Sequence, residues 1–364
     1  MNIATETLTA PSLPTQPFPL SLNGMKQVIL SISLLVFLSI ALAAQDPDLK
    51  KQQENAKAFI RQGDYSNAIL ILNRALQKDP TNLETQKDLA FAYYLKRDFA
   101  KALETAKPFA DRKDSDIQAY QILALVYKAL EERKDCEKLY KTALKKYPTS
   151  GVLYNEYGEM LWAKKDYTDA IKLWEKGIEA DPNNSGNYYN AAKFYYMSAD
   201  KTWGLIYGEL FINIESYSKR TDEIKELLLE GYKKLFIGNE LTKNQNTSNE
   251  FVKAFLGLMQ KHSSSTSAGI TPETLTTLRS RFLLDWYEKY ATRFPYRLFE
   301  HHHQLVRMGL FDAYNQWVFG SAGNPTAYKQ WTSTHADKNN EFIRLQQNRV
   351  FKVPAGQYYQ TPFK

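Results

Sequence analysis

Cysteine is nearly absent: the 364 residues contain one, Cys136. A lone cysteine closes no internal disulfide, so the fold has to hold by packing alone. Cys136 is expected as a small buried residue standing in for alanine. Histidine is scarce too, five in all, with three of them consecutive at 301–303. Neighbouring helical residues point about 100° apart. None of the three has a His, Asp or Glu three or four positions further along, as a helical metal site requires. Glu300-His301-His302-His303 is therefore expected as a partly exposed polar helix face, and His262 and His335 have no evident partners. G-x-S-x-G, the phosphate-cradling G-x-x-x-x-G-K-[ST], G-x-G-x-x-G and paired-cysteine metal motifs are missing. Ser263–Ser265 lie in a connector-like stretch. The sequence thus points to no catalytic residue, no cofactor and no metal. The formal charge is +7, with 47 basic against 40 acidic residues and no dense basic run. That excludes the footprint of a nucleic-acid binder and favours mild attraction to acidic partners.

Long apolar runs are also few, and one is informative. Met25-Lys26 precedes VILSISLLVFLSIALAA (28–44), which ends in small residues and is followed by polar QDPDLKKQQ. A basic residue, an apolar stretch and a small-residue end form a secretory signal peptide, with cleavage expected near Ala43–Gln45. The run is short for a span of about 20 residues. Residues 1–24 fit poorly as the leading part of such a signal, so translation is expected to start at Met25. No cysteine follows the run, so a lipoprotein anchor is not expected, and the membrane enters only through the uncleaved signal. Residues 1–44 are read as extension plus signal. The localisation expected is the periplasm or cell envelope of a Gram-negative bacterium.

Against these absences stands a repetition. DYSNAILILNRALQKDPTN (64–82) and DYTDAIKLWEKGIEADPNN (166–184) lie 102 residues apart, three times 34. Windows starting at 49, 83, 117, 151 and 185 place Ala56, Ala90, Ala124, Gly158 and Ala192 at the eighth position. The twentieth holds Ala68, Ala102, Cys136, Ala170 and Gly204, and the eleventh holds Phe59, Tyr93, Tyr127, Leu161 and Tyr195. Pro80, Pro148 and Pro182 close three windows. Small residues let two helices approach, larger ones fill the flanks, and proline ends the second helix. The pattern resembles the tetratricopeptide repeat, most closely in the windows at 49, 117 and 151, less at 83, and in degenerate form at 185. The resemblance implies an all-α, right-handed α-solenoid of helix pairs over residues 45–216, about five repeats. Each pair buries its apolar face only against its neighbours.

The family's inner groove is lined from positions 2, 5, 9, 12 and 13 of each window. Here the resemblance assigns it Lys57, Arg61, Lys87, Phe91 and Tyr94, then Gln121 and Lys128. Asn155, Glu159 and Trp162 follow, and then Tyr189, Lys193 and Tyr196. Such a lining, basic at one end and aromatic at the other, suits a protein or peptide segment with acidic groups. The same lysines and aromatics also fit solvated surface and inter-helix packing. Some relatives clamp a chaperone tail with asparagine at position nine; Lys57, Phe91 and Leu125 stand there, so that ligand is not implied.

Residues 217–364 are expected to be further helices that cap or extend the repeats. TDEIKELLLEGYKKLF (221–236) carries Thr221 as its cap, FVKAFLGLMQKH (251–262) is amphipathic, and Thr271-Pro272-Glu273 opens a helix to about Thr292. SSSTSAG (263–269) reads as a connector, GSAGNP (320–325) as a break and 353–364 as extended or loop. The expected function is an exported binding or scaffolding module. The alternatives are an enzyme or enzyme accessory subunit with its site in 217–364, and attachment to an envelope glycan or membrane surface.

Overall fold

In the computed structural model of the chain, residues 47–238 and 240–360 are described, so the apolar run 28–44 lies outside them. Among the described residues every regular element is a helix. The helices fall into two units, one ending at Asp98 and the other beginning at Phe99.

The first unit holds α1 (Pro47–Gln62), α2 (Tyr65–Lys78) and α3 (Leu83–Leu95). Ala56 and Ala68 are fully buried where α1 meets α2, with Leu72, Leu89 and Ala92 in the same cluster and Phe59 and Tyr93 packed against it. Small residues at the eighth and twentieth positions therefore do what the pattern requires.

The second unit continues the alternation. It holds α4 (Phe99–Ala106), α5 (Ile117–Ala129), α6 (Arg133–Lys146), α7 (Gly151–Ala163), α8 (Tyr167–Ala180), α9 (Ser185–Met197) and α10 (Thr202–Ile214). Cys136 is buried as expected, and burial pushes its thiol up to about 11. Gly158 has a specific cause. A Cβ there would stand 2.3 Å from the Trp174 indole nitrogen, which donates to the Asn155 carbonyl at 3.2 Å.

The period itself is set at the turn inside each pair. Gly63, Arg97, Glu131 and Lys165, spaced 34 apart, have φ of +79°, +65°, +57° and +64°. This left-handed residue lets the following N–H reach back to the eleventh-position carbonyl. Asp64 donates to Phe59 at 2.9 Å, Asp98 to Tyr93 at 3.0 Å, Glu132 to Tyr127 at 2.9 Å and Asp166 to Leu161 at 3.0 Å. Asp64 and Asp166 then cap the second helix by accepting from Asn67 and Asp169. In the fifth pair the turn is one residue longer, so α10 starts at Thr202 and no left-handed residue is used.

The last repeat helix leads into the rest of the unit. Every residue of α10 except Ile214 is buried. Trp203 stacks on Phe251 with ring centroids 5.6 Å apart. Phe251 belongs to α12 (Glu250–Lys261), and α13 (Pro272–Lys289), capped by Thr271, adds Trp286 to the same aromatic cluster. Between them, Ser263–Thr266 form a 3₁₀ turn. α11 (Lys219–Leu235) begins two residues before the expected cap: Ser218 caps it, and the Thr221 hydroxyl accepts from the Ser218 N–H at 3.1 Å. The chain continues through α14 (Arg297–Arg307), α15 (Phe311–Asn315), a π turn (Gln316–Gly320), α16 (Ser321–Gly323), α17 (Pro325–Thr334) and α18 (Ala336–Gln347). The tail returns to the repeats, where the Asn183 side chain pairs with both backbone groups of Val353 at 3.2 and 2.9 Å.

The histidine run departs from expectation. His301 and His302 are 1% and 3% exposed, not set on an open polar face. α14 turns both inward with Leu298 and Leu305, where polar partners from distant helices receive them. His302 Nε2 lies 3.0 Å from the Glu209 carboxylate of α10, and Glu209 also pairs with Arg279 of α13. Tyr314 donates to Glu209 at 2.9 Å and accepts from Asn213 at 2.7 Å, while Arg349 donates to His301 at 2.6 Å. His262 likewise has a partner, Asp285, at 2.8 Å. Burial disfavours the Glu209 anion, but Arg279, His302 and Tyr314 outweigh it and hold the group at about 2. Burial also drives both imidazoles below the ordinary histidine range.

Two outcomes are expected. Glu131→Gly removes the left-handed cost of an L-residue and should raise stability by about 0.5–1 kcal/mol, whereas Gly63→Ala should lower it by a similar amount. The two urea midpoints check this. Stability should also fall with acidification. Below the ordinary histidine range the unfolded chain takes up protons that buried His301 and His302 refuse. Below the ordinary carboxylate range the Glu209 contribution is lost in turn, down to about 2. Asp88 and Glu175, raised by burial to about 6 and about 7, act in the opposite sense down to the ordinary carboxylate range, so the decline in melting temperature is expected between pH 4 and pH 2.

Candidate binding surface

The first helix of each pair carries the residues assigned to a groove. In the first unit they are largely engaged with neighbours. Lys57 lies 3.0 Å from Glu84 and 3.6 Å from Asp88, and Lys87 lies 2.7 Å from Glu84. Lys87 is 3% exposed. Burial pushes the Asp88 carboxyl up to about 6 against the opposing pull of Lys57. Phe91 and Tyr94 stack on each other at 6.2 Å. Arg61 is exposed at the end of α1. The lysine charge assigned to this end is thus compensated locally by the carboxylates Glu84 and Asp88 of α3.

The second unit divides its residues into three groups. Asn155 donates to Glu159 at 3.0 Å, and Asn190 of the next repeat donates to both, at 2.8 and 3.1 Å. Gln121 donates to Glu156 at 2.6 Å across the preceding pair. A ladder of amides and carboxylates therefore runs along α5, α7 and α9. Trp162 is half-buried in an aromatic nest, with Tyr167 at 4.5 Å, Trp174 at 5.7 Å and Phe194 at 6.4 Å. It packs repeat against repeat. Tyr189 and Lys193 both reach Glu223 of α11, at 2.5 and 2.7 Å, and Lys234 sits 3.8 Å over the Tyr196 ring. This end is braced by the C-terminal helices.

Lys128 is different. No described residue pairs with it, and it lines a recess of about 340 Å³ between the third and fourth pairs. Arg133, Lys164, Met160, Ala163, Cys136 and the carboxylates Glu131 and Glu159 share that recess. Lys164 is held by Glu137 at 2.8 Å, whereas Arg133 has no ion pair among the described residues. Sequence reasoning missed Arg133 and Met160, because neither falls at a groove position of the repeat. Arg133 opens α6, and Met160 precedes the eleventh position by one residue. The spacing of Arg133 from the Glu131 turn was the available signal.

The buried Glu209–Arg279–His302 cluster surrounds a void of only about 10 Å³. That is room for one water at most, so the cluster holds helices together and admits no substrate. Among the described residues no group of three or more His, Cys, Asp or Glu side chains is placed to hold a metal ion.

Two tetratricopeptide-repeat family models match this chain, one over residues 59–126 and one over 123–185. No curated protein matches it. Among solved structures, a thermophilic TPR protein of Thermus thermophilus is 16% identical, with 50% of this chain aligned to 99% of that one at a TM-score of 0.41. A MamA structure is 21% identical over 49% of this chain and 95% of its own, at 0.35. MamA from Desulfovibrio magneticus RS-1 is 12% identical over 50% and 97%, at 0.36. With the helix pairs, their 34-residue spacing and both family matches in agreement, residues 59–185 are tetratricopeptide repeats, the repeat of protein-interaction scaffolds.

Proposed function

We propose that the protein captures a segment of a partner at the Lys128–Arg133 recess, taking an acidic group with an apolar neighbour. The observation that carries this reading is the pair of cations outside any ion pair among the described residues, beside an apolar floor of Met160 and Ala163. On the first helices of other pairs, Lys57, Lys87 and Lys193 are neutralised by Glu84, Asp88 or Glu223. Glu131 and Glu159 also line the recess but form no ion pair with Lys128 or Arg133, so an entering carboxylate displaces no internal pair there, as it would at Lys57 or Lys193. Met160 and Ala163 supply the apolar contact that makes such an anchor selective. Trp162 and Tyr196 act by holding the helices in place.

We further propose that the chain is exported, on the strength of the run at 28–44, and that residues 217–364 stabilise the end of the repeats. N-terminal sequencing of the protein purified from its native cells should then begin near Gln45; a chain still carrying 28–44 would overturn export.

The binding reading is tested with an immobilised library of randomised 12-residue peptides. Enrichment of acidic residues next to apolar ones is expected, with binding that weakens as salt rises. Lys128→Glu/Arg133→Glu should reduce affinity by about tenfold or more, as expected for charge reversal at a contact. Lys57→Glu should leave it unchanged. Equal peptide binding by the recess double variant and the parent chain would remove the recess from the function.

A further inference from the structure

A second cavity, of about 270 Å³, lies outside the repeats, between α11, the start of α13 and the π turn. Its floor is formed by Leu229, Gln316 and Gly320, all buried. Glu273, Lys233, Asn324 and Ala327 are exposed around its rim, with Ile270, Pro272 and Tyr328 half-buried on its walls. The π turn creates this space. A fifth residue in the turn displaces the backbone outward, a feature that recurs at functional sites. Gly320 completes it: a Cβ there would stand 2.5 Å from the Tyr328 ring and 2.8 Å from Gln316 Oε1.

The polar groups are one-sided. Gln316 is 2% exposed and donates through Nε2 to Glu273 at 2.8 Å. No described residue donates to its carbonyl oxygen, which lies beside Gly320 at the cavity. Burial raises Glu273, but hydrogen bonds from Thr271, its own backbone amide and Gln316 hold it below the ordinary range, so it stays ionised. Lys233, the rim cation, is held by Glu230 at 2.7 Å. Two carboxylates thus stand against one ammonium, next to a tyrosine ring.

We propose that this cavity binds a primary ammonium group carried on a short apolar stem. The ammonium donates to the ionised Glu273 carboxylate and to the Gln316 carbonyl. The stem lies against Leu229, Ile270 and Pro272, and the Tyr328 ring face favours a cation near it. An anion finds only the compensated Lys233. A purely apolar guest would leave Gln316 without a donor. The volume, just under the roughly 300 Å³ at which pockets for drug-sized ligands begin, fits a ligand of a few heavy atoms. No repeat residue lines the cavity, so this binding is independent of peptide capture at the recess.

The test is calorimetric titration of the full chain with n-butylammonium and with Nα-acetyl-lysine amide, against 1-butanol and butyrate of matched length. The ammonium compounds should bind and the two controls should bind at least tenfold more weakly, as expected for a charged hydrogen bond, about 1.5–3 kcal/mol. Glu273→Gln should weaken ammonium binding by a similar factor. Ala327→Phe, at an exposed position, should block it by filling the cavity with the carboxylate left in place. Tighter binding of butylammonium assigns the site to a free amine; tighter binding of the blocked lysine assigns it to a lysine side chain of a partner. Absence of ammonium binding, butanol binding as well as butylammonium, or affinity unchanged in both variants would overturn the proposal.

Discussion

The left-handed residue between the two helices of a repeat is the constraint from which the regularity follows. It closes a hydrogen bond back onto the eleventh-position carbonyl and sends the second helix antiparallel to the first. Only at that entry angle do positions eight and twenty meet, and only small residues fit there. Arg97, Glu131 and Lys165 hold this conformation without being glycine. The geometry therefore outweighs the cost of about 1–2 kcal/mol that each L-residue incurs. Where the turn gains a residue, at 198–201, the next helix α10 is mostly apolar and is buried among helices that do not repeat.

That helix links periodic and aperiodic structure. Glu209 is the one acidic residue in α10, and burying it alone would be prohibitive. Arg279 supplies the opposite charge, and Arg279, His302 and Tyr314 converge from other helices on one carboxylate oxygen, Oε1. A buried pair of this kind adds little net stability over an apolar replacement, yet it penalises any arrangement that separates its members. The packing of α13 and α14 against α10 is thereby specified by charge as well as by aromatic fit.

What the sequence reveals divides along the same line. Helix pairs, their ends at Pro80, Pro148 and Pro182, and the buried place of Cys136 are legible because each depends on residues within one or two turns or one repeat. The His301–His302 burial is not legible, since its cause is Glu209 in α10, nearly a hundred residues earlier, and nothing local to 300–303 signals it. The assigned groove shows both cases. Asn155 and Lys128 can be placed from the repeat register alone. Whether a lysine there is open depends on Glu84, Asp88 or Glu223, which the register does not score. Local propensity placed Thr221 near the start of α11 but could not choose between it and Ser218, because both hydroxyls take part in the cap.

Charge compensation also restricts where a partner can act. A lysine already bonded to a carboxylate must give up that contact before it receives another, so its net contribution to binding is small. Lys57, Lys87 and Lys193 are in that position, and the aromatic residues Trp162 and Tyr196 are engaged by neighbouring rings and lysines. The C-terminal helices take part in this directly, since Glu223 and Lys234 of α11 occupy the fifth repeat's inner residues. In the third and fourth pairs, by contrast, Lys128 and Arg133 stand beside Met160 outside any ion pair among the described residues, with Glu131 and Glu159 in the same recess. A surface that looks basic in sequence thus has Lys57, Lys87 and Lys193 committed to the fold.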